Sequence, residues 1–189
     1  MIREIVEQII KDLDLIGDNV EAKLNYICSV IRKMEKINDP MDPECKVCYE
    51  TSMEFGRIMY GALDYDVEIL NIKDLLQIPL THYANIISFD INGHKKTYLV
   101  DMTYSQFFGS SILLDNNERV STEKVFGSIK DELFVQKLRQ NGFVELTGDV
   151  LEQYIDAFLD ICDVKNRSKA YYNIYELLAN RRDDTKTRK

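Results

Sequence analysis

The sequence predicts an α+β fold: a small antiparallel sheet with helices packed around it. Three observations carry this. Apolar residues recur at helical spacing near both ends of the chain. In the middle, two β-prone runs are joined by Asn92-Gly93, the strongest short hairpin signal. The chain has 189 residues of which 45% are hydrophobic, enough for one ordinary core.

Taken in order, Ile2, Ile5, Ile9, Ile10 and Leu13 mark a first helix over residues 2 to 14. Gly17-Asp18-Asn19 breaks it, and a second helix runs to about Ile37, its apolar stripe being Leu24, Ile27, Cys28 and Ile31. Asn38-Asp39-Pro40-Met41-Asp42-Pro43 is turn chemistry. From Cys48, the spacing of Ser52, Phe55 and Met59 predicts a third helix to about Tyr60. Strands are expected at 66–72, 82–91 and 94–103, with a weaker one at 111–114 before the Asp115-Asn116-Asn117 turn. Ser121 is read as the cap of a helix to about Gln140, which Asn141-Gly142 stops. Thr147 caps the next, whose apolar face is Val150, Tyr154, Ile155, Phe158, Leu159 and Cys162. Residues 168–180 form a last helix. The expected organisation is one domain over residues 1–180 with a disordered, charged tail at 181–189.

The hairpin brings two chemically useful residues together. With Asn92 and Gly93 as the turn, Ile91 pairs with His94, Ala84 with Asp101 and His82 with Thr103. Side chains alternate along each strand, so paired residues share a face. His82 and Asp101 are then diagonal neighbours on one face, with Cβ atoms about 7 Å apart or less. A bulge would move one of them to the other face. The ordinary alternatives are a structural histidine at a strand start and a capping aspartate. Upstream, Cys48 sits near a helix N-terminus, where unpaired N–H groups and the helix dipole favour thiolate; its ordinary alternative is a small buried core residue. Cys45 competes with it, because Asp42-Pro43 can start the helix a turn earlier.

This order of residues resembles the transglutaminase-like superfamily of papain-fold thiol enzymes. The resemblance covers about residues 44 to 107. It rests on Cys48 opening a helix, Ser52 as the small residue four positions later, and the Gly61-containing bend into the strand that includes Val67-Glu68-Ile69-Leu70. His82 then starts one strand and Asp101-Met102-Thr103 ends the next. The resemblance implies a Cys-His-Asp triad: Cys48 as nucleophile, His82 as base and Asp101 as orienting carboxylate. The sequence departs from the family pattern at Val47, where glycine often precedes the cysteine, and at Asp64, where a glycine usually closes the helix. No side chain upstream of Cys48 stands out as an oxyanion-hole donor.

Composition narrows the function. The net charge is −8 and no stretch is a basic patch with interleaved aromatics, which excludes ordinary nucleic-acid binding. No run of apolar residues is long enough to span a membrane. Met1-Ile2-Arg3-Glu4 opens an amphipathic helix and lacks the profile of a signal peptide, so cytoplasmic residence is the expectation. The four cysteines at 28, 45, 48 and 162 include Cys45-Lys46-Val47-Cys48, a C-x-x-C. The polar, proline-containing segment before it is unlike the apolar strand that precedes a thioredoxin-like site, and no second close-spaced pair completes a zinc site. The expectation is therefore a thiol-dependent acyl-transfer enzyme, a cysteine peptidase, amidase or transglutaminase, acting on a protein or peptide without metal or cofactor. The alternatives are a C-x-x-C redox protein and a non-catalytic interaction module presenting Tyr171, Tyr172 and Tyr175.

Overall fold

The computed structural model describes residues 2–65 and 67–184. It begins with helices α1 (Ile2–Ile16), α2 (Val20–Met34) and α3 (Cys48–Leu63). Asn19 caps α2, its side-chain oxygen accepting the Ala22 N–H at 2.9 Å. Cys48 is the first residue of α3, so the earlier start at Pro43 does not occur. Asp42 accepts the Glu44 N–H instead, a local turn that competes with helix. Asp64 closes α3 in the left-handed conformation at φ 53°, the role a glycine often fills.

Strand β1 (Val67–Asn71) leads through the short helix α4 (Ile72–Leu76) to the hairpin of β2 (Tyr83–Ile91) and β3 (His94–Val100). Asn92 and Gly93 both have positive φ, 53° and 78°, as the tightest hairpin turn requires. The ladder runs from Ile91 opposite His94 to Asn85 opposite Val100, the register the turn dictates. A 3₁₀ turn (Tyr104–Phe108) follows. Then come β4 (Ser111–Leu113), β5 (Arg119–Ser121), α5 (Phe126–Ile129), α6 (Leu133–Asn141), β6 (Phe143–Glu145), α7 (Gly148–Ile161) and α8 (Ser168–Asp184). The main sheet is antiparallel in the order β1-β2-β3-β6, and β4 and β5 form a separate ribbon.

Several expectations are corrected. Ser121 does not cap a long helix to Gln140; it pairs with Ser111 at the end of β5. The helix begins later and in two pieces, because the ribbon takes the residues that would have opened it. Gly142 ends α6 at φ 84°, as expected of a C-terminal glycine. Helix α8 continues to Asp184, past residue 180, while residues 185–189 of the expected tail lie outside the described residues.

The sheet separates two buried clusters. Ile87, Phe89, Tyr98 and Val100 face α1, α2 and α3. Ala84, Ile86 and Leu99 face the opposite way, onto a cluster that includes Tyr104, Phe107, Phe126, Tyr154 and Phe158. Adjacent residues on each strand fall into different clusters, as the pleat demands. The arrangement is α+β with helices on both faces.

Candidate active site

The three residues singled out in the sequence meet where β2 begins and β3 ends. Asp101 follows the last ladder pair of β3, and its N–H donates to the Gly142 carbonyl at 2.9 Å. His82 immediately precedes β2, and its carbonyl accepts the Ile72 N–H at 2.9 Å. The hairpin register thus carries both side chains to one face. The distance from His82 Nε2 to Asp101 Oδ2 is 2.6 Å. Both side chains are fully buried.

Asp101 is held from several directions. Tyr154 donates its hydroxyl to Oδ2 at 2.8 Å, the oxygen that also meets His82. Oδ1 accepts the Thr103 N–H at 3.2 Å and the Thr103 hydroxyl at 3.4 Å. The Asp101-Met102-Thr103 motif is therefore an Asx turn that aims the carboxylate. The imidazole packs edge-on against Phe107, with ring centres 4.8 Å apart, and also touches Phe158. These contacts leave the ring little freedom to turn.

Cys48 reaches the same imidazole from α3 and is 9% exposed. Its thiol hydrogen-bonds to His82 and accepts the Tyr83 N–H. Burial pushes the Cys48 thiol up, but these hydrogen bonds and the charge of His82 outweigh it, and the net shift is downward. Burial pulls His82 down, yet the charge and hydrogen bond of Asp101, with Cys48, carry it up to about 10. Both shifts favour the thiolate–imidazolium pair. The other thiols go the opposite way: burial raises Cys28 to about 12, Cys162 to about 11, and Cys45 to a smaller extent. All four cysteines are free, and among the described residues no cluster of three His, Cys, Asp or Glu side chains could hold a metal ion.

The N-terminus of α3 is unusual in having Val47 at its cap, with no side chain bonded to its first N–H groups. The helix start beside the thiol thus lacks a side-chain acceptor, at a cost of about 1 kcal/mol relative to a polar cap. Ser52, one turn on, is buried, and its carbonyl accepts the Asn85 side-chain amide of β2 at 3.2 Å. A small side chain there lets the strand lie close to the helix that carries the thiol.

Comparison with protein-family models, with curated proteins and with solved structures gave no match.

Sequence reasoning missed three members of this constellation. Tyr154 belongs by its spacing to an apolar helical stripe, and its hydroxyl has no local signal. Gln106 lies in the 3₁₀ turn, and its Nε2 is 3.2 Å from His82 Nδ1. Arg32, buried on α2, donates to the carbonyls of Met102, Arg139 and Gln140 and so ties α2 to the chain beyond Asp101. Two surface grooves, of about 440 and 370 Å³, lie elsewhere: one is lined by Lys95, Glu145 and Tyr175, the other by Ile69, Asp74 and Asn173. Among the described residues no helix is long and apolar enough to cross a membrane.

Proposed function

We propose that this protein is a thiol-dependent acyl-transfer enzyme on a papain- or transglutaminase-like scaffold, with Cys48 as nucleophile, His82 as general base and acid, and Asp101 as orienting carboxylate. The observation that carries the reading is the buried 2.6 Å contact between His82 and Asp101, with Cys48 on the same imidazole at the head of α3. Asp101 fixes the tautomer with the proton on Nε2. That leaves Nδ1 to take the thiol proton.

The reaction then follows from the residue types. The Cys48 thiolate attacks an amide or ester carbonyl, and the carbonyl π electrons move onto oxygen. The Cys48 N–H, at a helix start that no side chain caps, stabilises that oxyanion. Collapse breaks the bond to the leaving group, which takes the proton from His82 Nδ1. A second nucleophile, water or an amine, attacks the acyl-thioester and restores the thiol. Water as acceptor makes a peptidase or amidase; an amine makes a transglutaminase.

Energetics favour this reading over an interaction module on the same scaffold. A buried charged pair is a poor source of stability compared with apolar packing. A protein that only presents Tyr172 and Tyr175, which are exposed on α8, has no use for one. The test is a panel of amide and ester probes read by intact mass and peptide mapping. An acyl adduct is expected on Cys48 and not on Cys28, Cys45 or Cys162. No adduct at Cys48 with any probe refutes the reading.

A further inference from the structure

We propose that the free edge of strand β1 is a docking site for an extended polypeptide segment in which apolar and basic residues alternate, added to the sheet as one more antiparallel strand. This surface stands whether or not Cys48 reacts.

Strand β1 is the end member of the sheet and pairs with β2. Leu70 stands opposite Ala84 and Ile69 opposite Asn85. One step beyond the strand, in the same register, the Ile72 N–H donates to the His82 carbonyl at 2.9 Å. In an antiparallel ladder, residues that exchange bonds alternate with residues that do not. Ile72, Leu70 and Glu68 therefore bond inward to β2, while Val67, Ile69 and Asn71 turn their N–H groups outward. Among the described residues neither the N–H nor the carbonyl of Ile69 has a backbone partner. Exposed edges are commonly blunted by proline, lysine or a bulge. Strand β1 reads Val-Glu-Ile-Leu-Asn, without proline or lysine, and its register is unbroken. Such an edge is a template for another strand, whose backbone meets the outward donor and acceptor together.

The surfaces on either side define what that strand carries. The side chain of Ile69 and that of a residue paired with it share the face toward α3. There Ile69 Cδ1 lies 4.0 Å from the place a Cβ on Gly56 would take. Tyr49, Met53, Gly56 and Tyr60 recur three or four residues apart, so they form one stripe of α3. Tyr49, Met53, Tyr60 and Ile69 are all exposed, which makes an apolar strip along the edge with a notch at Gly56. The opposite face, that of Glu68 and Leu70, opens into the groove of about 370 Å³ against α8, which Asp74 and Glu176 line. Apolar side chains of the added strand thus lie over α3, and basic side chains lie over the acidic groove. The net charge of −8 attracts a cationic segment at longer range and disfavours a second copy of this chain as the occupant. The edge is also continuous with the candidate active site. Its last residue, Asn71, pairs with Tyr83, whose N–H meets Cys48 and whose ring touches that of Tyr49, with centres 5.2 Å apart.

The probe is the end-blocked, fluorescein-labelled peptide Lys-Val-Lys-Val-Lys-Val-Lys, titrated with the full chain and read by anisotropy. Antiparallel pairing opposite Ile69 turns the valine amides toward β1 and the lysine amides toward solvent. Saturable binding is expected, and its absence overturns the proposal. Methylating the backbone nitrogens of the valines is expected to weaken binding by about tenfold or more, and methylating those of the lysines by less than about twofold, because only the first set loses bonds to β1. Equal effects, or the reverse order, overturn the proposal, since a peptide held by charge alone has no such alternation. The same peptide with glutamate in place of lysine is expected not to bind, and equal binding overturns the proposal. Ile69→Pro removes the outward N–H at a position where a strand edge tolerates proline, and it is expected to weaken binding of the unmodified peptide by about tenfold or more. Unchanged affinity in the folded variant overturns the proposal. If Ile69→Pro does not fold, the two methylated peptides on the wild-type chain decide the matter. Sedimentation of the wild-type chain is expected to show a monomer. A dimer that Ile69→Pro dissociates assigns the edge to a second copy and overturns the proposal.

Discussion

At the scale of single residues, the Asp101 carboxylate is held by three neighbours at once. It accepts from His82, Tyr154 and Thr103, and it is 1% exposed. Asp101→Asn presents His82 with an amide, which favours the wrong tautomer. Turnover is expected to fall by about 10²–10⁴ with the fold intact. Steady-state kinetics beside a melting curve check this. Tyr154→Phe removes one donor from the carboxylate and should cost about 1.5–3 kcal/mol in denaturant unfolding. Tyr104→Phe should do the reverse. The Tyr104 hydroxyl is buried with no hydrogen-bond partner among the described residues, so its loss removes an unmet desolvation cost. Unfolding by urea should show Tyr104→Phe at least as stable as wild type. The neighbouring thiols separate cleanly: Cys45→Ser should keep most activity and Cys48→Ser should lose nearly all, since a Cys-His pair is not arranged to activate serine.

At the scale of elements, legibility followed the range of the forces involved. The β2–β3 hairpin was legible because its register is local: Asn92-Gly93 sets the turn, and the pleat then fixes the face of every side chain to His82 and Asp101. The cap at Thr147 and the stop at Gly142 were local too. The segment 121–140 departs from the helix its sequence suggests because its fate depends on β4, which recruits Arg119, Val120 and Ser121 into a ribbon. Strand β6 has only three residues, too few for alternation to register, and exists because β3 offers it a free edge. In the site, Gln106 and Tyr154 were invisible because only tertiary packing brings them to His82 and Asp101. Gly142 joins these levels. Its φ is +84°, an added Cβ would lie 2.9 Å from Met102 Cγ and 3.4 Å from the Arg32 guanidinium, and its carbonyl accepts the Asp101 N–H. Gly142→Ala is expected to destabilise by about 2 kcal/mol or more, from backbone strain plus displacement of the chain beside Asp101. Thermal unfolding measures it, and turnover should fall with stability.

At the scale of the whole molecule, the site lies where helices from both faces of the sheet converge. Helix α3 delivers the thiol, the hairpin delivers the imidazole and carboxylate, and α7 closes the rear with Tyr154. The linked protonation makes this assembly pH-sensitive in a defined direction. His82 rises from 6.5 to about 10 on folding, so its protonated form contributes stability fully below pH 6.5. That contribution is lost as pH rises through about 10. The stability difference between wild type and His82→Gln should therefore be largest in mild acid and shrink steadily on the alkaline side. The central claim, that Cys48 is held as a reactive thiolate by His82, is tested most directly by competitive alkylation of the folded protein. Iodoacetamide at limiting concentration and neutral pH should label Cys48 well ahead of Cys28, Cys45 and Cys162, and His82→Ala should remove that lead. Slow and uniform labelling of all four thiols in the folded wild-type protein would contradict it.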